Sequence, residues 1–95
     1  MNTPEGVPCV LCTESARRWR DRDDRLRESR IYRCAACGGR FAVTGAALAQ
    51  LEAGVWDVAD LQAQVRQRIA AGRLPRIEAG QGGPLVADVG GQRDR

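Results

Sequence analysis

Between Ser15 and Val43, polar and apolar positions change with a period of two. Arg18, Arg20 and Arg22 alternate with Trp19 and Asp21, the pattern of a strand with one wet face. The stretches 15–22 (SARRWRDR) and 27–33 (RESRIYR) flank Asp23–Leu26 (DDRL), a polar turn signal, and together they read as a hairpin. A helix is the rival reading, because Arg and Leu are good helix formers. The hairpin is preferred on geometry. A CxxC pair lies on either side of the segment, at Cys9 and Cys12 and at Cys34 and Cys37, and a hairpin returns both pairs to one point. After the second pair, RFAVT (40–44) places Phe41 and Val43 on one face and reads as a third strand.

From Thr44 onward the period changes to that of a helix. Ala47, Leu48 and Leu51 line one face, with Thr44 as N-cap and Gly54 as the stop. A second helix begins at Asp57, an N-cap residue, with Asp60 placed favourably for the N-terminal dipole. Val58, Leu61, Val65 and Ile69 repeat at helical spacing. Gly72 closes this helix and Pro75 blocks its continuation. Residues 79–95 hold five Gly and one Pro among seventeen positions and show no helical periodicity. Such a composition reads as a disordered tail. The alternative is that Leu85, Val86 and Val89 add a strand to a sheet edge.

Composition sharpens this outline. A chain of 95 residues with 4% aromatic content makes one small domain with a modest core, and small domains commonly need a staple. The N-terminus, MNTPEGVP, has neither an apolar run nor a basic start, so it does not read as a secretory signal. No window approaches the roughly 18 apolar residues of a membrane span. The expectation is a cytoplasmic protein without membrane contact, with reduced thiols that favour metal over disulfides. All 15 basic residues are arginine, and the formal net charge is +3. Four thiolates and one Zn²⁺ lower that to about +1, so total charge alone makes no case for nucleic acid.

Structural zinc takes four ligands in a tetrahedron, and a CxxC knuckle lets two sulfurs reach one metal from a tight turn. Two such knuckles identify Cys9, Cys12, Cys34 and Cys37 as the ligand set for one zinc per chain. Gly38 suits the backbone angles that follow a knuckle, and Thr13 holds the same place less comfortably. Iron uses the same ligands in an electron carrier, although the acidic, aromatic-rich surroundings expected there are missing. Four filled positions leave no open site for substrate, and the chain has no His. An enzyme is therefore not expected.

The run CVLC…YRCAACGGRFAVTGAALAQL resembles small bacterial zinc-ribbon proteins and zinc-ribbon N-terminal regions carrying a CPxCG…CPxCG pattern, in which the second knuckle runs through a short strand into a helix beginning TG-x-AL. The resemblance extends more loosely through DLQAQVRQRIAAGRLPRI and spans residues 9–77. Val10 and Ala35 stand where the family has Pro, and Thr13 where it has Gly. The resemblance implies a zinc ribbon continued by a helical segment.

The expected fold is thus small α+β. Residues 1–8 form a flexible arm and residues 9–43 a three-stranded antiparallel four-cysteine zinc ribbon. Residues 44–74 form two short helices packed on the ribbon, and residues 75–95 a mostly disordered tail. Two functions suit this outline. Residues 17–33 hold eight Arg against four acids, so Arg17, Arg18, Trp19, Arg20, Arg30, Tyr32 and Arg33 are candidates for DNA or RNA binding through phosphate pairing and base stacking. The bland reading is a solvated hairpin with interleaved ion pairs and Trp19 in the core. The other function is a protein-interaction module that meets a partner or a second copy through Val55, Trp56 and the 57–72 helix. Against it stands the reading that Trp56 only staples that helix to the ribbon.

Overall fold

A computed structural model describes residues 4–92. Six strands and two helices follow in the order β1 (Glu5–Pro8), β2 (Ser15–Arg20), β3 (Arg30–Cys34), β4 (Gly39–Val43), α1 (Gly45–Ala53), α2 (Val58–Ala70), β5 (Arg73–Gly80) and β6 (Gly83–Gly91). All six strands join one sheet whose spatial order equals the sequence order. Neighbours are antiparallel except β4 and β5, which are parallel. A parallel pair needs a crossover connection, and α1 with α2 supplies it.

Local chemistry accounts for the helices. Thr44 caps α1, its hydroxyl oxygen accepting from Ala47 N–H at 3.2 Å. Gly54 ends α1 in the left-handed region at φ 73°. Asp57 caps α2, its carboxylate accepting from Ala59 N–H at 3.0 Å. Leu61, Val65 and Ile69 of α2 and Ala47 and Leu51 of α1 pack with Tyr32, Phe41, Val43 and Ile77 into one core. Tyr32 and Phe41 are directly paired across β3 and β4, and their rings stack with centroids 5.4 Å apart. Both helices therefore lie on the sheet face that carries Tyr32 and Phe41.

Three expectations are corrected. The three-stranded ribbon followed by two helices is a six-stranded mixed sheet with both helices on one face. Within the N-terminal arm, Glu5–Pro8 pair with β2; residues 1–3 lie outside the described residues. Most of the C-terminal tail is the β5–β6 hairpin, with a two-residue turn at Gln81 and Gly82; residues 93–95 lie outside the described residues. The compositional reading weighed the tail as an isolated chain. In the fold, Ile77 is fully buried, and β5 gains a parallel partner at Ala42 and Val43. Strand β6 buries little and owes its order to the backbone ladder with β5, helped by Val86 against the core. Pro75 does more than stop a helix: it is buried inside β5, where the register shifts between Leu74 and Pro75, a position that tolerates its missing N–H.

Gln92 closes the end of the sheet that β4 and β5 leave open. Its side-chain amide donates to the carbonyls of Arg40 and Arg73, at 2.5 and 2.8 Å, and its amide oxygen accepts from Arg40 N–H at 2.9 Å. One side chain thus stands in for ladder bonds between two strands.

Candidate metal centre

Strands β1 and β3 are both antiparallel to β2, so they run the same way and their C-terminal ends meet at one end of the sheet. Cys9 follows β1 and Cys34 ends β3. This brings the two knuckles together. In the first, Thr13 N–H donates to the Cys9 carbonyl at 2.9 Å; in the second, Gly38 N–H donates to the Cys34 carbonyl at 3.1 Å. Both turns need a left-handed residue next, and Thr13 (φ 64°) and Gly38 (φ 101°) take that conformation.

The four sulfurs lie within 4.8 Å of one another. Cys9 Sγ is 3.8 Å from Cys37 Sγ, and Cys12 Sγ is 3.5 Å from Cys34 Sγ. A tetrahedral ion with sulfur at about 2.3 Å sets its ligands about 3.8 Å apart, which these separations match. They are far beyond the roughly 2 Å of a disulfide, and all four cysteines are free. Cys9, Cys34 and Cys37 are buried and belong to the same core as the helix seam. The cluster can hold a metal ion.

The thiols do not ionise alike. The hydrogen bond from Cys37 pulls Cys9 down to about 5 against the effect of burial, and the Leu11 N–H, 3.4 Å away, adds to the pull. Cys37 is pushed up, first by the hydrogen bond it gives to Cys9 and then by burial. Burial pushes Cys12 up to about 11. A divalent cation supplies the charge that lets all four ionise together. Gln62 of α2 points its amide at Cys37 Sγ from 3.8 Å. Sequence reasoning missed Gln62, since nothing in its spacing on a helix marks it as a neighbour of the knuckle.

The arginine candidates divide between the two faces of the sheet. Arg18 lies on the helix-side face. It donates to the Tyr32 hydroxyl at 3.3 Å, sits 5.9 Å from that ring's centroid and pairs with Glu5 at 2.7 Å. Tyr32 is fully buried. Both are thus engaged within the fold. Arg30 donates to the carbonyls of Glu28 and Ser29; Arg20, opposite it in register at the end of β2, lines the groove on the other face. Arg17, Trp19 and Arg33 point the other way. In register, Arg17 faces Arg33, and Arg33 faces Arg40. The next row inward is Trp19, Ile31, Ala42 and Arg76.

Apart from the fully buried Ala42, the residues of these two rows floor a groove of about 740 Å³ on the face opposite the helices, lined by seven arginines and three aspartates. Asp24 orders one end. It accepts from Ser29 Oγ at 2.6 Å, from Arg27 at 3.0 Å and from Arg76 at 3.4 Å. Burial pushes its carboxyl up, but these three partners outweigh it and hold the carboxyl below its usual value. Sequence reasoning missed Arg40 and Arg76. Arg40 was within reach, because an alternation that buries Phe41 and Val43 must turn Arg40 to the other side. Arg76 became visible only once the tail had folded.

Trp56 is half-buried against the core, Val55 beside it is exposed, and the apolar seam of α2 is covered by the chain's own sheet. Among the described residues no helix is long and apolar enough to cross a membrane. No family model, curated protein or solved structure matches the chain.

Proposed function

We propose that the protein is a small nucleic-acid-binding module held together by one structural zinc ion. The observation that carries this reading is the facing pair Arg17 and Arg33 in a groove on the sheet face that neither helix covers; Arg40, next in the row, donates to the Gly91 and Gln92 carbonyls. Like charges set directly opposite one another across strands are unfavourable. Among the described residues, the side chains of Arg17 and Arg33 find no internal carboxylate. Phosphates supply the charge that these two lack. The small net charge of the holo protein does not weaken this, because a polyanion senses the local patch within a Debye length of about 8–10 Å.

The zinc assignment rests on four cysteine sulfurs within 4.8 Å of one another, three of them in the core. With every position filled by sulfur, the ion holds the knuckles together and offers no coordination site to a substrate. The same sulfurs suit iron, which would give a coloured protein where zinc gives a colourless one.

The test is metal analysis followed by a salt series. Purified protein is expected to contain about one zinc per chain and no visible chromophore. Its affinity for DNA or RNA should fall with salt, with a log–log slope of about −0.9 per phosphate neutralised on duplex DNA. Replacing Arg17 and Arg33 together by Gln should flatten that slope by about 1.8 without changing zinc content. Arg66→Gln, on the exposed side of α2, should leave it unchanged. Absence of binding to any nucleic acid at low ionic strength, together with a dimeric mass or capture of a protein, would transfer the reading to an interaction surface at Val55, Trp56 and the 57–72 helix.

A further inference from the structure

The groove has an aromatic floor as well as a charged rim, and the two differ in what they select. Trp19 is half-buried, lines the groove and does not belong to the core formed with the helices. Beside it in register is Ile31, which is only 6% exposed although it lies on the face without helices. Adjacent strands lie about 4.8 Å apart, so Arg17 and Arg33, directly opposite in register, stand close enough to hold one phosphate or two neighbouring phosphates of a single strand.

A duplex offers this face only its backbone, because its bases are stacked and paired inside. An unpaired strand can lay phosphates against the arginine pair and turn a base inward onto the indole, which stands one row away. We infer that the groove takes single-stranded nucleic acid in preference to duplex, with Trp19 as the stacking platform and Arg17 and Arg33 as the phosphate clamps. This rests on the phosphate-binding reading above and adds the form of the ligand. Stacking on an aromatic ring is tolerant of sequence, so the preference is for unpaired structure, whatever the base.

The test uses the full-length zinc-loaded protein in a Trp56→Phe background, which leaves Trp19 as the sole tryptophan. Oligothymidylate of about ten nucleotides, a duplex of the same length and polyglutamate are titrated against its fluorescence. The single strand should quench Trp19 and bind at least tenfold more tightly than the duplex, and polyglutamate should not quench. Trp19→Leu keeps an apolar cover over Ile31 but removes the stacking ring. Measured by anisotropy of labelled oligothymidylate, this variant should bind about 5- to 150-fold more weakly, with zinc content and duplex affinity unchanged. Trp19→Phe, which retains a smaller ring, should recover part of the loss.

Equal affinity for single strand and duplex, with neither changed by Trp19→Leu, would overturn this inference and leave the phosphate-binding reading standing. Quenching by polyglutamate to the same extent would also overturn it, since the groove would then be selecting charge alone. Failure to bind either nucleic acid at low salt would remove both readings.

Discussion

Replacing Thr13 by Gly should stabilise the protein, and the size of the gain follows from the first knuckle. Thr13 is held at φ 64°, where the Cβ of an L-residue crowds the backbone at a cost of about 1–2 kcal/mol, and a β-branched side chain has the least freedom to adapt. Glycine removes that cost but gives the unfolded chain more freedom, returning about 0.5–1 kcal/mol. The bond from the residue 13 N–H to the Cys9 carbonyl, at 2.9 Å, uses backbone only and survives. The hydroxyl lost is exposed and reaches only the neighbouring Cys12 carbonyl.

The net gain is therefore about 0.5–1 kcal/mol, or about 2–8 °C in Tm for a domain of this size. Urea unfolding followed by far-UV circular dichroism, at a fixed excess of zinc, should show the midpoint rising with the slope unchanged. Gly38 sits at φ 101° in the second knuckle, where an added Cβ would find its nearest neighbour, Ile69, at a comfortable 3.6 Å. Gly38→Ala should therefore lose stability through backbone strain alone. A Thr13→Gly protein no more stable than wild type at equal zinc occupancy would refute the left-handed strain assigned to the first knuckle.

Three further outcomes are expected. Cys34→Ser, or removal of metal by a strong chelator, should abolish cooperative unfolding in circular dichroism, because metal-binding free energy is largely folding free energy in such sites and Cys34 is fully buried in the core. Gln92→Ala should cost about 1–2 kcal/mol in chemical denaturation, since one amide satisfies three backbone groups on two strands. Asp24→Asn should cost about 1–3 kcal/mol at neutral pH by removing the charged partner of Arg27 and Arg76. Because the folded carboxyl titrates below its usual value, its contribution is complete above about pH 4 and is lost as pH falls through the folded pKa. The stability gap between wild type and Asp24→Asn should therefore narrow on acidification, and a gap constant with pH would refute the assignment.

The sequence by itself determined whatever is written within a few residues. Paired CxxC spacing singles out Cys9, Cys12, Cys34 and Cys37, since a knuckle is a local turn. Period-two alternation marks the strands around Trp19, Tyr32 and Phe41. Thr44, Gly54 and Asp57 set helix boundaries because capping is a contact between near neighbours. The same alternation carried the information that splits Arg17 from Arg18, although reading the segment as one charged hairpin blurred it.

Tertiary structure decided what depends on partners far along the chain. Composition made residues 79–95 read as a disordered tail, with a strand at Leu85, Val86 and Val89 only as the alternative, yet Gly83–Gly91 pairs as a strand because β5 offers it a ladder and β4 in turn holds β5. Which arginines face solvent was settled by the side of the sheet on which α1 and α2 fold back: one face became the core with Tyr32, and the other kept Arg17 and Arg33 exposed. Periodicity can separate two faces of a strand, but covering one of them requires apolar surfaces that meet only after the chain has crossed from β4 to β5.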